Sequence, residues 1–216
     1  MESHASPYDN SAEGDPWASP SLPFGWVDWP QQMEAESFID FFATRPKHEK
    51  WELWDGEPRR MMTPASGFHQ SIVGRFSSRL EDHCEARGLP FMCIHEVGVR
   101  VAEHPSFMPI PDIVVVPESE RTERGYVQNF LLAAEVMSPT NTRSEIEDKI
   151  GRYAEHRACE YVLVLEQDRP SVVLRARDDG WTDRLVEGAT ATLSLPAFRF
   201  VVPLSYIYHR VIGASR

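Results

Sequence analysis

From residue 33 onward the chain alternates between two hydrophobic periods, and their order predicts the elements. Residues 33–44 place Met33, Phe38, Ile39, Phe41 and Phe42 among acidic residues, a short amphipathic helix that must end before Pro46. Trp51-Glu52-Leu53-Trp54 and Pro58-Arg59-Arg60-Met61-Met62 alternate on either side of Asp55-Gly56, which predicts a β-hairpin. Residues 68–87 form the first long helix, with an apolar stripe of Ile72, Val73, Phe76 and Leu80 and Gly88 as its stop. Residues 91–101 read as one strand with Val97, Val99 and Val101 on a common face, turned by Glu103-His104-Pro105-Ser106. Residues 110–116 return as a nearly continuous apolar run, the pattern of a central strand covered on both sides.

After a solvated loop at 117–125, residues 130–137 form the next strand. Alternation puts Phe130, Leu132, Ala134 and Val136 on one face and Leu131, Ala133, Glu135 and Met137 on the other. Ser138-Pro139-Thr140-Asn141 breaks it. Thr142 with Glu145 then makes a capping box for a helix to about Arg157, with Ile146, Ile150, Tyr153 and Ala154 inside. Residues 161–165 are a second all-apolar strand, and the crossover helix before them predicts that it runs parallel to the 130–137 strand. Residues 171–177 and 181–186 flank Asp178-Asp179-Gly180, a hairpin signal. Residues 193–204 carry Pro196 and Pro203 and predict a short edge strand, and 206–211 a last short helix. The fold class is α/β in the mixed α+β sense: a central mixed β-sheet flanked by helices, with an N-terminal and a C-terminal hairpin.

Residues 1–32 are rich in Pro and Ser without a period, which predicts a flexible tail before a single domain at 33–216. Trp17, Trp26 and Trp29 in that tail either tack it onto the domain or a second subunit, or simply make it sticky. Hydrophobic residues make up 42% of the 216, enough for a sizeable core, and no apolar run approaches the ~20 residues of a membrane span. Met1-Glu2-Ser3-His4 lacks the basic start and apolar stretch of a secretory signal. Cys84, Cys93 and Cys159 are odd in number and scattered, as expected for reduced core thiols in a cytoplasmic protein. The net charge of −11 weighs against coating nucleic acid through a broad basic surface, but not against a local, metal-filled groove.

Several polar residues interrupt the apolar pattern. Asp112 starts a core strand, costly for a carboxylate unless the position is open or paired, and Glu135 is flanked by apolar positions on its own face. Lys149 sits at the edge of the inner face of its helix, where a lysine ordinarily snorkels. His69 shares the inward face of the first turn of the first long helix, either as a buried histidine bonded to a carbonyl or as a polar group at the rim of a site. A zinc site from Cys93, His95, Glu96 and His104 matches no ligand spacing. Gly-x-Ser-x-Gly is absent, as is a phosphate-cradling glycine loop.

The pieces Trp51-Glu52-Leu53-Trp54-Asp55-Gly56-Glu57, Thr63-Pro64-Ala65-Ser66 with His69-Gln70, Ile110-Pro111-Asp112-Ile113-Val114, Ala134-Glu135-Val136-Met137-Ser138-Pro139-Thr140, Asp148-Lys149-Ile150-Gly151-Arg152-Tyr153-Ala154 and Glu160-Tyr161-Val162-Leu163-Val164 stand in an order that resembles the Uma-two family of restriction endonucleases, within the PD-(D/E)XK nuclease superfamily. The resemblance runs from about Met33 to Ile207. It implies a restriction-endonuclease-like core and a Mg²⁺-dependent endonuclease acting on nucleic acid, DNA first, with Mn²⁺ able to substitute. Asp112 and Glu135 are the implied metal ligands and Lys149 the lysine that assists the attacking water. His69 is implied as an extra ligand or proton-handling group, and Glu57 and Glu52 as accessories. A homodimer is implied because a duplex has two strands to cut. One departure matters: the superfamily's lysine stands two residues after the acid, where this chain has Met137, so the amine has moved to the next helix. The alternative from another class is a catalytically degenerate nuclease scaffold that serves as a protein-interaction module.

Overall fold

The computed structural model describes residues 32–61, 66–120, 125–138 and 141–211. The tail tryptophans, Thr63-Pro64-Ala65 and Pro139-Thr140 lie outside them. Helix α1 (Ala35–Ala43) buries Ala35 and Phe38. Strands β1 (Trp51–Trp54) and β2 (Glu57–Arg60) form the expected hairpin, and Asp55 (φ 48°) and Gly56 (φ 83°) both take the left-handed conformations of a tight two-residue turn. The hairpin tip is pinned by its backbone: Met33 N donates to Gly56 O and Gly56 N donates to Ser106 O, each at 2.9 Å. Helix α2 (Gly67–Ala86) starts at Ser66, whose side chain accepts from His69 N.

The expected strand at 91–101 is broken in two. Its first half is β3 (Phe91–Ile94) and its second is β4 (Gly98–Val99), with Glu96 between them at φ 56°. That left-handed residue turns β4 out of the main sheet. It pairs instead in parallel with β6 (Tyr126–Val127). Val97, Val99 and Val101 are buried as the alternation requires.

The main sheet adds β5 (Ile113–Pro117), β7 (Leu132–Val136), β8 (Tyr161–Leu165), β9 (Ser171–Ala176) and β10 (Arg184–Glu187), with α3 (Arg143–Glu155) crossing between β7 and β8. Its order is β10-β9-β8-β7-β5-β3. The β7–β8 pair is parallel and every other pair antiparallel, so the sheet is mixed. Strand β10 begins at Arg184 rather than at 181 because Trp181 itself takes φ 63° and lengthens the connection.

The closing segment holds two strands, not one. A 3-10 turn at Pro196–Phe198 with Arg199 at φ 52° reverses the chain, so β11 (Thr192–Leu195) and β12 (Phe200–Pro203) pair antiparallel. The last helix, α4 (Leu204–Tyr208), begins at once, earlier than the sequence pattern suggests, with Pro203 at its N-cap.

Alternation on the strands divides the core. Ile113, Val115, Leu132, Ala134 and Val136 pack with α2, β11, β12 and α4. Val114, Val116, Ala133, Val162 and Val164 pack with Ile146, Ile150 and Tyr153 of α3. Glu135 shares the parity of Ala133 and so meets α3.

Candidate active site

Five of the six singled-out residues converge beside the β5–β7 pair. Asp112 immediately precedes β5. Its Oδ2 accepts from Val136 N at 2.7 Å and from His69 Nε2 at 3.0 Å, which locks the carboxylate between β7 and the first turn of α2. The other oxygen, Oδ1, takes part in no hydrogen bond among the described residues. Glu135 lies on β7, and its Oε1 accepts from Tyr153 OH at 2.8 Å with the Lys149 Nζ at 3.3 Å. Its Oε2 is likewise unengaged among the described residues.

Lys149 is one of the buried charges that the capping box of α3 makes possible. Thr142 accepts from Glu145 N and the Glu145 side chain returns to the Thr142 backbone, which fixes where the helix starts and which residues it turns inward. Lys149 Nζ reaches Glu52 Oε1 at 2.8 Å. Glu52 comes from β1 and is buried, and it also accepts from Ile110 N at 2.8 Å and from Trp54 Nε1 at 3.0 Å.

Glu57 does not join the group. It sits on β2, 73% exposed, with Arg59 at 3.7 Å as its ion-pair partner. By register the two share a face of the hairpin, but Glu52 is buried and Glu57, beside the turn, is exposed. The residues of the rejected zinc site scatter too: His95 turns to Ser77 and His104 to Glu155.

The electrostatics follow from three carboxylates gathered around one ammonium. Burial raises the Glu135 carboxyl to about 7; Lys149 opposes the shift, while the charges of Asp112 and Glu52 reinforce it. Burial alone would depress the Lys149 ammonium, but Glu135, Glu52 and Asp112 outweigh it and raise its pKa, so Lys149 is a cation at neutral pH. Tyr153 is raised well above the ordinary phenol by burial and by Glu135, so it stays a hydrogen-bond donor. Burial also works against the His69 cation, yet Asp112 and Glu135 carry its pKa above the ordinary histidine value.

Comparison with family models matches residues 35–205 to Uma2, described as putative restriction endonuclease. The chain belongs to this family. A solved structure of a putative nuclease belonging to DUF820, from Anabaena variabilis ATCC 29413, superposes on it with a TM-score of 0.66 at 16% sequence identity, covering 81% of this chain and 98% of that one. That likeness shows the nuclease fold. No match is found among curated proteins.

The donor set of the candidate site fits a hard divalent cation. Two carboxylates, Asp112 and Glu135, each keep an oxygen that no described residue uses, and such oxygens are the donors a hard cation takes. Among the described residues no three His, Cys, Asp or Glu side chains form a complete metal cage. Mg²⁺ needs none, since it ordinarily takes one or two carboxylates and keeps several waters.

Three contributors to the candidate site were not singled out as such in the sequence. Tyr153 was legible only as a core residue, yet it is the donor to Glu135. Trp54 and the Val136 amide fix Glu52 and Asp112. One unused signal pointed at Lys149: it is the only lysine after residue 50 in a chain whose other cations there are arginines.

Proposed function

We propose that the protein is a Mg²⁺-dependent endonuclease that hydrolyses nucleic-acid phosphodiester bonds, DNA first, with Mn²⁺ able to substitute. The reading is carried by one observation: Asp112, Glu135 and Lys149 meet at one end of the β5–β7 pair, two carboxylates with spare oxygens beside a buried ammonium. Asp112 and Glu135 would hold the ion, which when bound polarises the phosphate and acidifies a water.

The chain's own residues do the rest. His69 and the Val136 amide hold Asp112 by one oxygen, and the other would be available to the ion. Lys149 is protonated, so it donates and does not accept. It orients the attacking water and offsets charge that builds on the attacked phosphate. Tyr153 fixes the Glu135 carboxylate from behind. Two copies acting together would serve the two strands of a duplex. The second reading, a degenerate scaffold for protein contacts, draws on the net charge of −11 and on Lys149 being already paired with two carboxylates.

Calorimetric titration of Mn²⁺ separates the two, followed by a cleavage screen on plasmid, single-stranded DNA and RNA. The expected result is binding to wild type, loss of at least about 100-fold in affinity for the Asp112→Ala, Glu135→Ala double variant, and Mg²⁺-dependent cleavage abolished by Lys149→Met. Metal binding without cleavage of any substrate would move the assignment to the scaffold reading.

A further inference from the structure

The superfamily pattern places the lysine on the same strand as the acid, where sheet register holds it. Here the amine stands on α3, at the end of a flexible four-carbon stem, and register cannot place it. A catalytic group must be held within about 0.5 Å of its working position, so a displaced lysine needs an anchor of its own.

The hairpin supplies one. Glu52 Oε1 lies 2.8 Å from Lys149 Nζ, closer than Glu135 at 3.3 Å. Glu52 is held in turn by two further donors, the Ile110 amide on Oε1 and the Trp54 indole on Oε2. With three donors in place, little of its capacity remains, whereas Asp112 and Glu135 each keep a spare oxygen. One turn further along α3, Arg152 makes a two-pronged pair with Asp55 at the hairpin tip, at 2.6 and 3.2 Å. The hairpin and α3 are therefore tied twice, and the Trp54 ring lies 5.9 Å from the same ammonium.

We infer that Glu52 is a positioning residue that holds the Lys149 ammonium in place from the β1–β2 hairpin, and is not a metal ligand. The inference rests on the proposed nuclease reading for its kinetic consequence, but its structural core does not.

The chain has three lysines, Lys47, Lys50 and Lys149, so lysine labelled with ¹³C at Cε gives three signals, and Lys149→Met assigns the one of interest. In the full-length wild type the two Hε protons of Lys149 are inequivalent, because the side chain is held. Glu52→Gln makes them converge. With Mg²⁺ and DNA it lowers kcat about 10- to 100-fold, with KM unchanged. Mn²⁺ affinity stays at the wild-type level.

Two results overturn the inference. A loss of Mn²⁺ affinity as large as that of Asp112→Ala makes Glu52 a ligand. An unchanged Lys149 signal in Glu52→Gln means that Glu52 does not hold it. If wild type cleaves nothing, the nuclease reading fails and the Lys149 signal still decides this one. Should Glu52→Gln not fold, Trp54→Phe removes a single donor from Glu52 and produces the same convergence in smaller measure, or refutes it by leaving the signal intact.

Discussion

Glu135 is the residue on which the site's electrostatics turn. Its folded carboxyl titrates near 7, against an ordinary 4.5, because it is buried beside Asp112 and Glu52 with only Lys149 and the Tyr153 hydroxyl to compensate. In the window between those values the native state binds more protons than the unfolded chain. Stability must therefore rise as pH falls through about 7, and the gain is complete near 4.5. The shift corresponds to at most about 3 kcal/mol. His69, also raised, adds a change of the same sign. The carboxyls held low by partners, such as Asp183 by Arg175, act in the opposite sense, but only at more acid pH. Metal-free protein in a chelator should show a Tm that climbs from pH 8 to pH 5.5, and Glu135→Gln should flatten that slope. Parallel slopes for the two proteins would show that Glu135 keeps an ordinary pKa. At this scale the sequence revealed the expensive residues, since a carboxylate inside an apolar pattern is visible without a structure. It did not rank Glu52 above Glu57. Both flank the same turn, and only the docking of that hairpin against α3 buries one and exposes the other.

The hairpin is the element whose placement the site depends on most, and one glycine controls it. A Cβ at Gly56 would meet Gln32 Cα at 2.7 Å and Met33 N at 2.8 Å, both backbone atoms that cannot step aside cheaply. The residue also sits at φ +83°, so alanine there adds conformational strain to overpacking. Gly56→Ala should cost on the order of 2–4 kcal/mol in urea denaturation. Gly88→Ala is the control. At φ +60° with nothing within 4 Å of the new Cβ, it should cost only the conformational part, about 1 kcal/mol. Equal losses for the two would mean that the hairpin tip is not pinned to the backbone at Gln32. Such elements were legible where period and turn chemistry agreed, as at Asp55-Gly56 and the Thr142 capping box. They were illegible where one residue took an unexpected backbone conformation. Glu96 and Arg199 are not glycines, and nothing in their identity announces φ values of 56° and 52°. Each splits a segment that reads as one strand.

For the whole molecule the governing quantity is the charge of −11 set against a polyanionic substrate. A protein that binds DNA by neutralising many phosphates loses about 10³–10⁵ in affinity between 50 and 200 mM salt. Many of the arginines described here are already engaged: Arg152 with Asp55 and Asp148, Arg175 with Glu147 and Asp183, Arg169 with Glu166. Redirecting them to phosphates would leave their carboxylates facing the strand. On the proposed reading the attraction would come from an ion held by Asp112 and Glu135 and from Lys149, which amounts to very few counterions released. Anisotropy of a labelled duplex, with Ca²⁺ replacing Mg²⁺ to suppress cleavage, should fall less than about tenfold in affinity across that salt range. Removing Ca²⁺ should weaken binding far more than adding salt does. A loss of 10³ or more with salt would require a broad basic surface, and would place the nucleic acid away from the carboxylates. A shallow salt dependence with a steep metal dependence would put the substrate at the bound ion.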